Sequence, residues 1–203
     1  MTQPALERFR TVAEYFEHEI ASDQRYEYRD GQIIALAGGS ARHSQIKVNT
    51  TVALGSRLRG TDCVTYDSDM RVRTASGTYA YPDISVVCGP VELTADPSET
   101  LANPSVVFEV LSPTTERYDR GDKFVHYRSI PSLCDYVLIE QRRVQVEHFH
   151  KDERGLWVLR DLIDLETVLE LESIGVRIPL AEIYERVKLE GTSDALANQE
   201  NEG

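Results

Sequence analysis

Apolar and polar positions follow two different periods along this chain, and the switches between them mark out its elements. Two short apolar runs stand out, Tyr81-Pro82-Asp83-Ile84-Ser85-Val86-Val87-Cys88 and Pro104-Ser105-Val106-Val107-Phe108-Glu109-Val110-Leu111. Both are rich in β-branched residues and bounded by turn formers, the pattern of buried strands. Each also carries an acid that a core strand does not need. Asp83 opens one run and Glu109 lies near the end of the other, so antiparallel neighbours would bring the two carboxylates to one edge of a sheet.

The remaining pattern surrounds these strands. Residues 11–19 read as a helix, with Thr11 and Glu14 at capping-box spacing. Residues 25–36 alternate around Asp30-Gly31, the strongest hairpin signal in the chain. Glu27 falls on the face opposite Tyr26 and Tyr28, as either a cross-strand salt-bridge partner or a third site carboxylate. Gly38-Gly39-Ser40 breaks the pattern, and Ser40 is placed to cap a helix over 41–58. His43 then lies in its first turn, facing either a ligand or the core edge. Strands follow at 62–66 and 69–74, the second with Met70 and Val72 inward and Arg71 and Arg73 outward as the nearest thing to a basic patch.

The segment 89–103 is long for a hairpin connection and reads as either mobile or packed over one end of the site. A helix over 115–128 lines up Asp119, Lys123 and Tyr127 on one face, four residues apart. Residues 135–140 form a core strand, and 144–150 alternate strictly as a half-exposed strand with His148 and His150 on its polar face. Residues 156–159 form an edge strand with Trp157 as a packing anchor. The stretches 168–171 and 176–180, with a short helix over 180–187, read as peripheral additions. Together these give one domain over 1–190 and a disordered tail over 191–203.

Composition narrows the class. Of 203 residues, 41% are hydrophobic and 28% charged, ordinary for a soluble globular protein. No run is long and apolar enough to span a membrane and the start lacks a secretory pattern, so a cytoplasmic protein with no membrane partner is expected. Cys63, Cys88 and Cys134 are odd in number and widely spaced, which argues for small buried hydrophobes rather than a disulfide framework or a thiolate zinc site. His148 and His150 have a spacing that can bind metal, but no nearby cysteine or third histidine completes a set. Gly38-Gly39 is followed by no Gly-Lys-Ser/Thr, which excludes a P-loop.

Charge bears on partners. The net charge is -12, and residues 151–203 alone hold 6 bases against 13 acids. A globally acidic chain gains nothing from long-range steering toward a polyanion, so tight nonspecific nucleic-acid binding is disfavoured. A nuclease remains open, because a metal ion and a local Arg cluster reverse the potential at the site itself. Two carboxylates on adjacent strands can hold one Mg²⁺ or Mn²⁺, and a lysine beside them can orient the attacking water. The competing reading is a structural network in which Asp83 and Glu109 pair with Lys123 and Arg71.

The succession Arg25-Tyr26-Glu27 with Asp30-Gly31, His43 ahead of a helix, Pro82-Asp83-Ile84, and Phe108-Glu109-Val110-Leu111-Ser112-Pro113-Thr114-Thr115 with Asp119 and Lys123 resembles the Uma-type endonuclease family. That family belongs to the restriction-endonuclease-like superfamily, with its Pro-Asp…Asp/Glu-X-Lys signature. The resemblance spans about residues 8–160 and implies an α/β fold, a mixed sheet flanked by helices. It makes Asp83 and Glu109 the metal carboxylates for Mg²⁺ or Mn²⁺, Glu27 a further acidic position, His43 a supporting polar residue and Lys123 the catalytic lysine. The lysine departs from the superfamily pattern: two residues past Glu109 stands Leu111, so Lys123 has to reach back from the following helix. The reading is a metal-dependent DNA endonuclease acting as a homodimer. The alternatives are a catalytically silent binding or assembly module and a phosphodiesterase for RNA or small nucleotides.

Overall fold

In the computed structural model, which describes residues 10–190, the helix and strand periods resolve into two sheets and the helices that cover them. The 191–203 tail expectation falls outside the described residues. Helix α1 (Val12–Ile20) starts on a complete capping box between Thr11 and Glu14. Strands β1 (Tyr26–Arg29) and β2 (Gln32–Ala35) pair antiparallel. Between them Asp30 and Gly31 take positive φ values of 48° and 78°, as the two-residue hairpin turn demands. Helix α2 (Ala41–Arg57) is capped by Ser40, whose side chain accepts the amide of His43.

Next come β3 (Cys63–Asp67), β4 (Arg71–Arg73), β5 (Tyr79–Ala80), β6 (Ile84–Cys88), β7 (Thr100–Leu101) and β8 (Val106–Leu111). The helix expected over 115–128 is broken at Gly121 into α3 (Glu116–Arg120) and α4 (Asp122–Tyr127). Strands β9 (Asp135–Glu140), β10 (Val146–Lys151), β11 (Trp157–Leu162), β12 (Val168–Leu171) and β13 (Val176–Pro179) follow, and α5 (Leu180–Ile183) ends the set. The smaller sheet runs β2-β1-β5-β4-β7 and the larger β11-β10-β9-β8-β6-β3, while β12 and β13 pair as a ribbon. Since β8 and β9 are parallel and the other pairs of the larger sheet antiparallel, that sheet is mixed.

The layers follow from side-chain alternation. One face of the larger sheet, with Val86, Phe108, Val110, Val137 and Ile139, packs under Ile46, Ala53 and Leu54 of α2. The same core contains Leu169, Leu171, Val176, Ile178, Leu180 and Ile183. The C-terminal segments are therefore half of a cover over this face, a correction to their reading as peripheral; their short apolar alternation hides how much they bury. The opposite face, with Val107, Leu111, Tyr136 and Leu138, meets α4 through Tyr127 and the smaller sheet through Val72, Ala80 and Leu101. Helix α1 closes the outer side of the smaller sheet with Tyr15 and Phe16 against Tyr79. Trp157 meets the Phe124 ring edge-on, the packing role expected of it.

Four local expectations are corrected. Arg71 does not point outward: it is buried and bonds to Glu19, Tyr15, Tyr81, Ser98 and Thr100. The 89–103 segment is what surrounds it, contributing β7, which pairs parallel with β4, so it packs on the smaller sheet rather than over the site. Cys63 and Cys88 stand directly opposite each other in the β3–β6 register and form a disulfide, leaving Cys134 as the free thiol. Their separation of 25 residues gave no hint of that register. His148 is buried rather than half exposed, because the turn after β12 covers its face of β10. Among the described residues no helix is long and apolar enough to cross a membrane.

Candidate active site

The two sheets part company at Tyr81-Pro82-Asp83, the three residues that carry the chain from β5 in one sheet to β6 in the other. Strands β6 and β8 are antiparallel with Ile84 opposite Phe108, so the next step along sets Asp83 against Glu109. Asp83 is fixed on both oxygens. His43 Nε2 lies 2.8 Å from Oδ1, and the Val110 amide donates to Oδ2 at 2.8 Å. Burial pushes this carboxyl up, but His43, the Val110 amide and Lys123 together outweigh it and hold Asp83 below the usual range.

Glu109 lives in a different environment on the next strand. It is buried, and its Oε1 accepts from Lys123 Nζ at 2.8 Å and from the Tyr127 hydroxyl at 3.1 Å. Burial, aided by Asp119 and Asp83, raises its carboxyl well above the ordinary value despite Lys123. Lys123 is 6% exposed and reaches three carboxylates: Glu109 at 2.8 Å, Glu27 at 3.3 Å and Asp119 at 3.6 Å. Burial works against its charge, yet Glu109, Glu27, Tyr127 and Asp119 prevail and keep the ammonium protonated. Burial likewise raises Asp119, with Glu27 and Asp83 adding to it.

All five residues singled out in the sequence, Glu27, His43, Asp83, Glu109 and Lys123, meet in this one region. Each arrives from a different element: Glu27 from β1, His43 from the first turn of α2, Asp83 from the sheet junction, Glu109 from β8 and Lys123 from α4. Leu111 is buried in the core, and the lysine reaches the acid from the helix instead. The helix break at Gly121 does not disrupt the Asp119, Lys123, Tyr127 face. Asp119 was legible as part of that face but not as a site acid.

Other residues of the site left little or no signal. Ser40 bonds Gln141, whose amide donates to the Leu111 carbonyl at 2.7 Å, tying the start of α2 to the end of β8. Gly39 gives the His43 ring room, since a Cβ there would sit 2.8 Å from its Cδ2. The whole set opens into a cleft of about 1030 Å³ whose walls include Arg25, Arg42, Lys47 and Arg142. Three of these bases are already paired, Arg25 with Asp69, Arg42 with Glu190 and Arg142 with Glu140 and Glu116, while Lys47 donates to Ser68.

Residues 12–181 match the family model Uma2, described as "Putative restriction endonuclease". The chain belongs to the Uma2 family. Two Synechocystis proteins are similar to this Uma2 chain along most of their length. The protein slr1290 is 37% identical over 84% of this chain and 89% of its own, and sll1609 is 34% identical over 82% and 94%. Both carry the description "uncharacterized". A solved structure described as "a putative nuclease belonging to DUF820" from Anabaena variabilis shares the fold, with a TM-score of 0.66, covering 80% of this chain and 91% of that one at 15% identity. The Uma2 chain thus has the mixed α/β fold, with a mixed sheet flanked by helices, that the family resemblance implied.

Proposed function

We propose that this Uma2 protein is a divalent-metal-dependent endonuclease that hydrolyses DNA phosphodiester bonds, with Mg²⁺ or Mn²⁺ held by Asp83 and Glu109. The observation that carries this reading is a charge imbalance. Four carboxylates, Glu27, Asp83, Glu109 and Asp119, converge on one lysine ammonium and one histidine in a largely buried site. Such an excess calls for another cation or for protonation. The donors are hard carboxylate oxygens, which suits Mg²⁺ or Mn²⁺.

When bound, the ion supplies Lewis acidity toward a phosphoryl oxygen and a more acidic water. The chain's own residues do the rest. His43 and the Val110 amide fix the direction of the Asp83 carboxylate. Glu27 and Asp119 hold the Lys123 ammonium against Glu109, where a protonated lysine stabilises charge developing on the phosphoryl group. Lys47 offers a phosphate contact along the cleft wall, and Arg25, Arg42 and Arg142 would do so by exchanging Asp69, Glu190 and Glu140 for phosphate oxygens. We propose further that the protein acts as a homodimer, a reading supported by the exposed apolar side chains at and beside edge strand β11, including Val158, Leu159 and Ile163.

A second reading, a silent binding module, is favoured by one observation: Lys123 is already paired with three carboxylates, as a structural network would be. Titration with Mn²⁺ and cleavage assays on DNA, RNA and dinucleotides separate the readings. The nuclease reading expects Mn²⁺ heat and DNA cleavage in the wild type and neither in Asp83→Ala. It also expects Lys123→Met to lose about 10²–10³-fold in rate while keeping the metal. Metal-supported cleavage that survives Asp83→Ala would sink it, and absence of both heat and cleavage in the wild type would favour the silent module.

A further inference from the structure

On the other face of the larger sheet, strands β9 and β10 bring together a second set of chemistry-bearing side chains. His150 lies directly across from Asp135 in the antiparallel register, and His148 is two residues back on the same face. The His148 Nε2 sits 2.6 Å from Asp135 Oδ1, and His150 Nδ1 sits 2.8 Å from that same oxygen. Ser173, on the turn Glu172–Ile174, donates to the other oxygen of the carboxylate. Asp135 is 0% exposed and His148 1%, whereas the His150 side chain is 21% exposed and opens the set to solvent. The three potential ligand atoms all lie within 4.8 Å of one another.

We infer that Asp135, His148 and His150 form a binding site for a transition-metal ion of the Zn²⁺ class, separate from the proposed nuclease centre. Two imidazoles and one carboxylate are a donor set for Zn²⁺ or Co²⁺ and a poor one for Mg²⁺, which wants oxygen. The nitrogens aimed at the carboxylate bind as neutral lone-pair donors once their protons shift to the other ring nitrogen or leave to solvent. Three protein ligands leave the remaining coordination to water from the His150 side. Ser173 orients the carboxylate from behind, as partners of metal ligands commonly do.

The location gives such an ion a structural role. Asp135 shares its face with Val137 and Ile139 in the core under α2, while Glu109, set beside Leu138 in the β8–β9 register, bonds Tyr127 and Lys123 on the opposite face. The Asp135 site joins the start of β9 to the end of β10, and through Ser173 it anchors the C-terminal ribbon that covers the core. The inference does not depend on the nuclease reading, and its failure would leave that reading untouched.

Co²⁺ titration of the full-length protein after chelator treatment tests it, read by visible ligand-field absorption and by thermal melting. The wild type is expected to bind one tight equivalent at this site and to melt roughly 5–10 °C higher with Co²⁺ or Zn²⁺ at a hundredfold excess over the dissociation constant. Asp83→Ala and His43→Ala are expected to retain that equivalent, His150→Ala to lose it, and Ser173→Ala to bind about 10–100-fold more weakly. Absence of a ligand-field band in the wild type, or a band whose intensity His150→Ala leaves unchanged or that disappears in His43→Ala, would overturn the inference. Should His150→Ala fail to fold, Ser173→Ala decides: unchanged Co²⁺ affinity there counts against the site.

Discussion

Two buried cations in this molecule have opposite surroundings. Arg71 is satisfied by one carboxylate, Glu19, and by neutral oxygens from Tyr15, Tyr81, Ser98 and Thr100, and it lies between Phe16 and the surrounding tyrosines. Charge is balanced there and no surplus faces outward. Lys123 instead answers to Glu27, Glu109 and Asp119, with Asp83 beside them, and its cluster borders a cleft. A balanced buried pair is explained by folding alone, because every group in it has what it needs. An unbalanced one costs stability unless something else arrives, so the imbalance points to a ligand.

The sharpest break of this comparison is to remove one acid from each cluster. Glu19→Gln leaves the Arg71 guanidinium buried without an anion, and a loss of about 3–5 kcal/mol in urea unfolding is expected. Asp119→Asn removes a surplus charge, so its cost is expected to stay within about 1 kcal/mol in chelator-containing buffer, with stabilisation the favoured sign. Equal destabilisation by the two changes would show that the Lys123 cluster is as balanced as the Arg71 one, and the argument for a metal from charge excess would fall.

This contrast also shows what the sequence could and could not disclose. Asp83 and Glu109 were legible because each interrupts an apolar run, and a core strand has no use for an acid. Lys123 was legible through its spacing from Asp119 and Tyr127. Arg71 was misread because alternation along a three-residue strand cannot tell an outward face from one covered by another segment, and its cover comes from Ser98 and Thr100 about thirty residues on. The meeting of Asp135 with His148 and His150 was not legible for a related reason: Asp135 lies on a neighbouring strand, and register is a tertiary property. The Cys63–Cys88 pair was hidden in the same way.

Acidity separates the clusters more gently. Glu109 and Asp119 have carboxyls raised by burial first and by neighbouring acids next, with Lys123 opposing. The folded state therefore holds their protons more tightly than the unfolded chain does. Their contribution is fully present below the ordinary carboxylate value and is lost as pH rises through the raised one. Asp83 runs the other way, its contribution present above the ordinary value and lost as pH falls. In chelator-containing buffer, unfolding free energy is thus expected to decline from about pH 4.5 upward, and Glu109→Gln to flatten that decline. A wild-type slope unchanged in Glu109→Gln would mean that Glu109 is not the group that titrates.

The smallest effect tests how the unbalanced cluster is held in position. A Cβ on Gly39 would meet His43 Cδ2 at 2.8 Å and Cγ at 3.0 Å, while Nε2, the ring atom next to Cδ2, lies 2.8 Å from Asp83 Oδ1. The ring cannot yield without loosening Nε2 from the carboxylate, and His43 Nδ1 is buried without a partner to hold it elsewhere. Gly39→Ala is therefore expected to lower cleavage roughly tenfold, within the range a misplacement of about 1 Å produces. Stability should change by less than about 1 kcal/mol, since Gly39 is exposed and its φ is not positive. Gly38→Ala is the matched control, because a Cβ there meets nothing within 4 Å. If the two substitutions slow cleavage equally, the loss comes from stiffening the loop, and the His43 contact with Asp83 does not position the carboxylate.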